Sequence, residues 1–267
     1  LSDPRPVGLF DSGVGGLTVS REVFRLMPAE STIYFADNIH VPYGPRRAEE
    51  LVEFAGEIVS FLISRHVKYI IFACNTNSSV SLHVMRERFS GVPMIGLVEP
   101  GAQEALRVSA SKRIGLIATE ATVKSGAYQR AIMALDPAAS VFSLFAPRLV
   151  PLVEAGRAGT AESLAAVKEY VEPLRAEKID TLILGCTHYP FLNTEFHRAL
   201  PGVTLIDPAT VTVQAAREEM IRLGLSSASR GEPPHQYFAS GDPRALQEAA
   251  GRFLGREIPP VRQVRLD

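Results

Sequence analysis

The sequence predicts an α/β protein built from two similar domains, each a mainly parallel sheet flanked by helices. Three observations lead there. Short β-branched runs that stop at glycine or polar residues alternate with helical patterns along the chain, as parallel strands buried on both faces do. The runs form two series with similar spacing, although their side chains differ, which is expected when one βα unit occurs twice. In each series a cysteine follows the third run, Cys74 in the first and Cys186 in the second.

Taken in order, the first series comprises residues 7–10, 33–36, 69–73 and 94–97. Between its second and third members Leu51, Ala55, Ile58, Val59 and Leu62 fall on one stripe, with Glu49, Glu53 and Glu57 off it. That spacing predicts a helix packed on a sheet. The second series comprises 113–118, 141–146, 181–185 and 203–206. Segments 98–101 and 207–210 each carry a proline just after a strand and are read as the crossings between the halves. A short apolar run at 236–239 and a helix over 243–254 are expected to return to the first half. The domains are then 1–98 plus 209–267, and 99–208. Segment 226–234, rich in Ser, Gly and Pro, is read as a mobile loop.

With 267 residues, 46% of them hydrophobic, the chain can bury a substantial core. Its 28 basic and 29 acidic residues are interleaved and leave a formal charge of -1, so no basic face is offered to nucleic acid or an anionic membrane. No apolar run reaches bilayer length, and residues 1–6 lack a signal-peptide pattern. The short N-terminus is expected to hold no added regulatory segment. The expectation is a cytoplasmic protein acting on a small molecule. Its two cysteines form no CxxC pair and no framework, and a reducing compartment keeps both as thiols.

Ligands of open parallel sheets bind beyond the carboxyl ends of the strands. That rule selects Asp11-Ser12-Gly13, the segment from Asp37 to Gly44, Cys74-Asn75-Thr76, and Cys186-Thr187-His188. If the halves face each other, both cysteines point into one cleft. Inverting a carbon centre by moving its α-proton requires a base on one side and an acid on the other. A thiol/thiolate pair suits that need, since thiol pKa values respond strongly to surroundings. Asp11, Glu154 and His188 are the candidates to assist the sulfurs. Asn75, Thr76 and Thr187, where helices should begin, suit carboxylates. Ser12 and the Pro42-Tyr43-Gly44 turn offer further donors, and Asp11 or Asp37 a partner for an ammonium.

Each residue also has a plainer reading. A single cysteine is often a small core residue, His188 a hydrogen-bonded structural imidazole, Asp11 and Asp37 caps, Glu154 a solvated helix residue and Tyr43 an aromatic plug. Two cysteines at matching positions weigh against the first of these. Gly13 and Gly15, with Asp37 further on, partly imitate a dinucleotide fingerprint. Thr18 occupies the third glycine position, however, and Asp11 would repel a pyrophosphate. Cys186 and His188 lack companions at metal-ligand spacing. Neither a cofactor nor a metal is expected.

The segments DSGVGG (11–16), VPYG (41–44), ACNT (73–76), ATVKSGAY (121–128), VPLVEAG (150–156), GCTHYP (185–190) and SGDP (240–243) resemble, in register, motifs of bacterial glutamate racemase, of the cofactor-independent aspartate/glutamate racemase family. The resemblance implies that Cys74 acts on D-glutamate and Cys186 on L-glutamate in a cleft between two domains. It implies substrate contacts at Asp11, Ser12, Tyr43, Gly44, Asn75, Thr76, Thr187 and His188, with Thr122 and Glu154 as support. It further implies D-glutamate supply to peptidoglycan synthesis, and a homodimer. Asn77 departs from the pattern, which leads one to expect a smaller residue there, and leaves the packing behind Cys74 open. Aspartate racemase or a related two-cysteine isomerase is the nearest alternative. An amino-acid-binding protein without turnover is another, and a thiol oxidoreductase is disfavoured by the lack of CxxC.

Overall fold

The computed structural model describes residues 2–228 and 231–266. The elements run β1 (Val7–Asp11), α1 (Leu17–Leu26), β2 (Thr32–Ala36), α2 (Ala48–Ser64), β3 (Tyr69–Phe72), α3 (Asn75–Val80), α4 (Leu82–Arg88), β4 (Met94–Gly96) and α5 (Val98–Val108). They continue with β5 (Arg113–Ala118), α6 (Glu120–Ser125), α7 (Ala127–Leu135), β6 (Ser140–Phe145), α8 (Leu149–Glu154), α9 (Ala161–Ala176), β7 (Thr181–Gly185), a 3₁₀ turn (Tyr189–Leu192), α10 (Asn193–Ala199) and β8 (Thr204–Ile206). The chain ends with α11 (Pro208–Arg222), β9 (His235–Ala239), α12 (Pro243–Leu254) and β10 (Arg262–Gln263).

Strands β1, β2, β3 and β7 are buried along their whole length. Covered on both faces, they take apolar residues continuously and show no alternation. One sheet has the order β10-β9-β2-β1-β3-β4 and the other β6-β5-β7-β8, and every pairing is parallel. The four strands β2-β1-β3-β4 and the four of the second sheet share one winding, which is the repeat that the spacing predicts. Helix α2 lays Ala55, Ile58, Val59 and Leu62 against the first sheet, as its stripe requires, while Leu51 packs with Tyr43, Cys74 and Ala121.

The two crossings are the first turns of helices α5 and α11. Pro100 and Pro208 fit there because the first N–H groups of a helix have no intrahelical partner. The crossings touch: a Cβ on Gly101 would stand 3.2 Å from the Pro208 ring. Strand β9 pairs with β2, so the chain does return to the first sheet. Strand β10, at its edge, is too short for periodicity to announce. The largest apolar cluster runs through both halves, joining Leu9 and Tyr34 to Leu149, Leu184, Val213 and Phe253.

Of segment 226–234, residues 229 and 230 lie outside the described residues. Its first part is tied down, with Ser227 N donating to Glu30 Oε1 at 2.7 Å and Ala228 N to Ser2 Oγ at 2.8 Å. Among the described residues no helix is long and apolar enough to cross a membrane.

Candidate active site

Strand β1 delivers Asp11 at its carboxyl end, β3 leads into Cys74, and β7 leads into Cys186. Both cysteines line one cavity of about 450 Å³, together with Asp11, Ser12, Tyr43, Gly44, Asn75, Thr76, Glu154, Thr187 and His188. The two thiols are free and buried.

Cys74 caps helix α3 in an extended conformation. Its sulfur accepts from the backbone N–H groups of Asn77 and Ser12, while burial and the neighbouring Asp11 charge push the thiol well above its ordinary range. The two N–H groups favour the thiolate but are outweighed by burial and the Asp11 charge, so this sulfur rests protonated. Asp11 is itself raised by burial, with His188 and the Gly16 and Gly13 amides pulling the other way. Those amides donate to Oδ2 at 2.9 and 3.1 Å. Only a glycine fits at position 16, where a Cβ would fall 2.5 Å from the Asp11 Cβ and 2.8 Å from the Tyr34 hydroxyl. At position 15 a Cβ would collide with Thr187 Oγ1 and stand 2.6 Å from His188 Cε1. The loop of the first half therefore packs directly against the cysteine segment of the second.

Around Cys186 the pattern differs. His188 Nδ1 lies 3.8 Å from the Cys186 sulfur, and His188 Nε2 lies 3.1 Å from Glu154 Oε1. Burial disfavours the charged ring, but hydrogen bonding to Cys186 and Glu154 and the charges of Cys186 and Asp11 outweigh it and lift the imidazole to about 10. His188 is thus an imidazolium at neutral pH.

No lysine or arginine lines the cavity among the described residues. Apart from the His188 ring, anionic groups entering it meet hydroxyl, amide and backbone donors. Thr76 Oγ1 pairs with Thr119 Oγ1 at 2.9 Å, and Asn75 Oδ1 accepts from the Tyr128 hydroxyl at 2.7 Å. Both contacts cross from the first half to the second.

Several expected residues sit elsewhere. Asp37 does not line this cavity. Its oxygens accept from the Tyr43 hydroxyl at 2.5 Å and Ser240 Oγ at 2.7 Å, and His40 Nδ1 lies at 2.9 Å. The Tyr43 hydroxyl is accordingly turned to Asp37, and of the two aspartates it is Asp11 that lines the cavity. Thr122 is one hydroxyl removed from the cavity wall, with its Oγ1 2.9 Å from that of Thr119. Glu154 touches His188 and neither sulfur. Thr187 does not open an α-helix: Tyr189 N returns to Cys186 O at 3.1 Å and a 3₁₀ turn containing Pro190 follows. Asn77 is accommodated fully buried, its Oδ1 accepting from Ser81 Oγ at 3.1 Å and its Nδ2 without a partner among the described residues.

Thr119, Glu120, Ala146 and Pro147 line the cavity without having been selected by the sequence. They follow β5 and β6, the first two strands of the second copy. The strand-end rule that picks out Asp11 and the segment after β2 would have found them, had it been carried through the repeat. Among the described residues no cluster of three or more His, Cys, Asp or Glu side chains is arranged to hold a metal.

The model of the Asp/Glu/Hydantoin racemase family matches residues 15–216. The chain belongs to this family. A glutamate racemase of Desulforudis audaxviator is 57% identical, with 97% of each chain covered. A solved glutamate racemase isoform of Bacillus anthracis superposes with a TM-score of 0.94 at 38% identity over 98% of each chain. The Francisella tularensis glutamate racemase, solved in complex with D-glutamate, gives 0.94 at 31% identity over 99% of each. As an Asp/Glu/Hydantoin racemase family member this chain is a racemase, an isomerase.

Proposed function

We propose that the protein interconverts L- and D-glutamate by proton transfer between Cys74 and Cys186 on opposite sides of the α-carbon. One observation carries this reading: two thiols occupy the same place in two sheets of one winding and line a single cavity. The names of the relatives support glutamate as substrate. L-Glutamate gives its α-proton to Cys186, beside the His188 cation, and the carbon receives one from the Cys74 thiol on the other face. D-Glutamate reverses the order. Each half reaction moves a proton and leaves the oxidation state unchanged, so neither calls for a cofactor. Asp11 faces the ammonium, and Ser12, Asn75, Thr76 and Thr187 meet the carboxylates, with Tyr43 and Gly44 closing one wall and Thr122 and Glu154 supporting from behind.

In the same reading the domains are 1–98 plus 209–267, and 99–208, which the sheet memberships support. The D-glutamate formed would supply peptidoglycan synthesis in the cytoplasm. The test is α-hydrogen exchange of L- and D-glutamate in heavy water, followed by NMR on metal-free and pyridoxal-free protein. Exchange with inversion, abolished by thiol alkylation, is the expected result. Faster exchange of aspartate would overturn the substrate, and no exchange of either would indicate a binding protein.

A further inference from the structure

Tyr128 closes the ATVKSGAY segment, and its side chain leaves the second half to reach the first. The ring is fully buried. Its hydroxyl stands 2.7 Å from Asn75 Oδ1 and 3.4 Å from the Leu97 carbonyl. A phenol has one proton to give, and the shorter contact takes it. Burial pushes this phenol well above the ordinary tyrosine range, with the Asp207 and Glu99 charges adding to the effect. Tyr128 therefore stays a donor throughout the working pH range.

A primary amide has two ends of nearly equal shape and opposite hydrogen-bonding character. Asn75 lines the cavity, and with Oδ1 engaged by Tyr128 the Nδ2 donor is the end left for the cavity. We propose that Tyr128 is a positioning residue for the substrate, fixing the Asn75 amide so that Nδ2 and not Oδ1 meets a substrate carboxylate. Were the amide reversed, a carbonyl oxygen would face the anion. Among the described residues no lysine or arginine lines the cavity wall to offset that repulsion. The inference rests on the glutamate reading above, in which Asn75 binds a carboxylate.

The experiment is a double-mutant cycle on the full chain, with KM and kcat measured for both enantiomers. Tyr128→Phe keeps the ring and removes the donor. It is expected to raise KM roughly tenfold for each enantiomer, with kcat changed less, as loss of ground-state binding should. In an Asn75→Ala background the same substitution should add nothing, because the amide it orients is gone. Asn75→Asp, which leaves Tyr128 an acceptor and turns a second oxygen to the cavity, should raise KM about a hundredfold. Additive effects of Tyr128→Phe and Asn75→Ala would assign Tyr128 a purely structural role and overturn the proposal. A near-native KM in Asn75→Asp would overturn it independently, even if Tyr128→Phe failed to fold. Failure of the glutamate reading is told apart by the unmodified protein, which would then not racemise glutamate at all.

Discussion

A buried imidazole held between a sulfur and a carboxylate titrates unlike a free one. His188 is lifted from 6.5 to about 10, so whatever its charge contributes is fully present below about 6.5 and is lost as pH rises through about 10. The alkaline limb of kcat/KM should lie in that upper range. Glu154→Gln removes one of the groups that raise the ring and should move the limb to lower pH, while a pH profile unchanged by the substitution would remove His188 from the reaction. For the sulfurs, Cys74→Ser and Cys186→Ser are each expected to lower racemisation by roughly 10²–10⁴-fold in both directions. A polarimetric assay of each enantiomer checks this, and near-normal rates from either variant would end the two-thiol mechanism. Asp37 illustrates the limit of reading single residues. The strand-end rule locates where β2 stops, but whether a carboxylate there turns to the cavity or to Tyr43, Ser240 and His40 depends on partners up to 203 positions away.

At the scale of elements, the turn between β1 and α1 separates two kinds of damage. In Gly16→Ala the new methyl would meet the Ala73 Cβ and the Tyr34 hydroxyl in the core, and the Asp11 Cβ behind the carboxylate that lines the cavity. Overpacking of this kind costs about 1–3 kcal/mol, and thermal unfolding should show a Tm lower by several degrees. In Gly15→Ala the methyl meets Thr187 and His188 instead. Here kcat should fall at least tenfold while circular dichroism remains native. Equal loss of stability and activity in both variants would contradict that division. Strands β1, β2, β3 and β7 were legible because burial on both faces leaves an uninterrupted apolar run, and α2 because its stripe is regular. Strand β10 was not, having two residues. Thr119 was missed because the repeat preserves winding and not side chains: Asp11 ends the first strand of one copy, whereas Thr119 follows that of the other. The pairing of Tyr128 with Asn75 spans 53 positions and two halves, and no local pattern encodes it.

For the molecule as a whole, polar contacts join the halves across the cavity. The Thr76–Thr119 hydroxyl pair is one, and Ala121 N donating to Gly44 O at 3.0 Å is another. Thr119→Val keeps the shape and removes the hydroxyl. A net hydrogen bond is worth about 0.5–1.5 kcal/mol, so KM should rise by roughly 2–12-fold. The rise in KM/kcat must be the same for L- and D-glutamate, because enantiomers are equal in free energy and no variant can alter that equilibrium. Progress curves run from each enantiomer test both statements, and an unchanged KM would show that the pair plays no part in binding.

The two passages of the chain between the halves lie side by side, with Gly101 against Pro208. Because both passages are first turns of helices and touch one another, neither can shift without pushing on the other, and the apolar cluster that runs through both halves forms a packed seam behind them. The relative placement of the two sulfurs thus rests on side chains that carry no chemical group of the reaction.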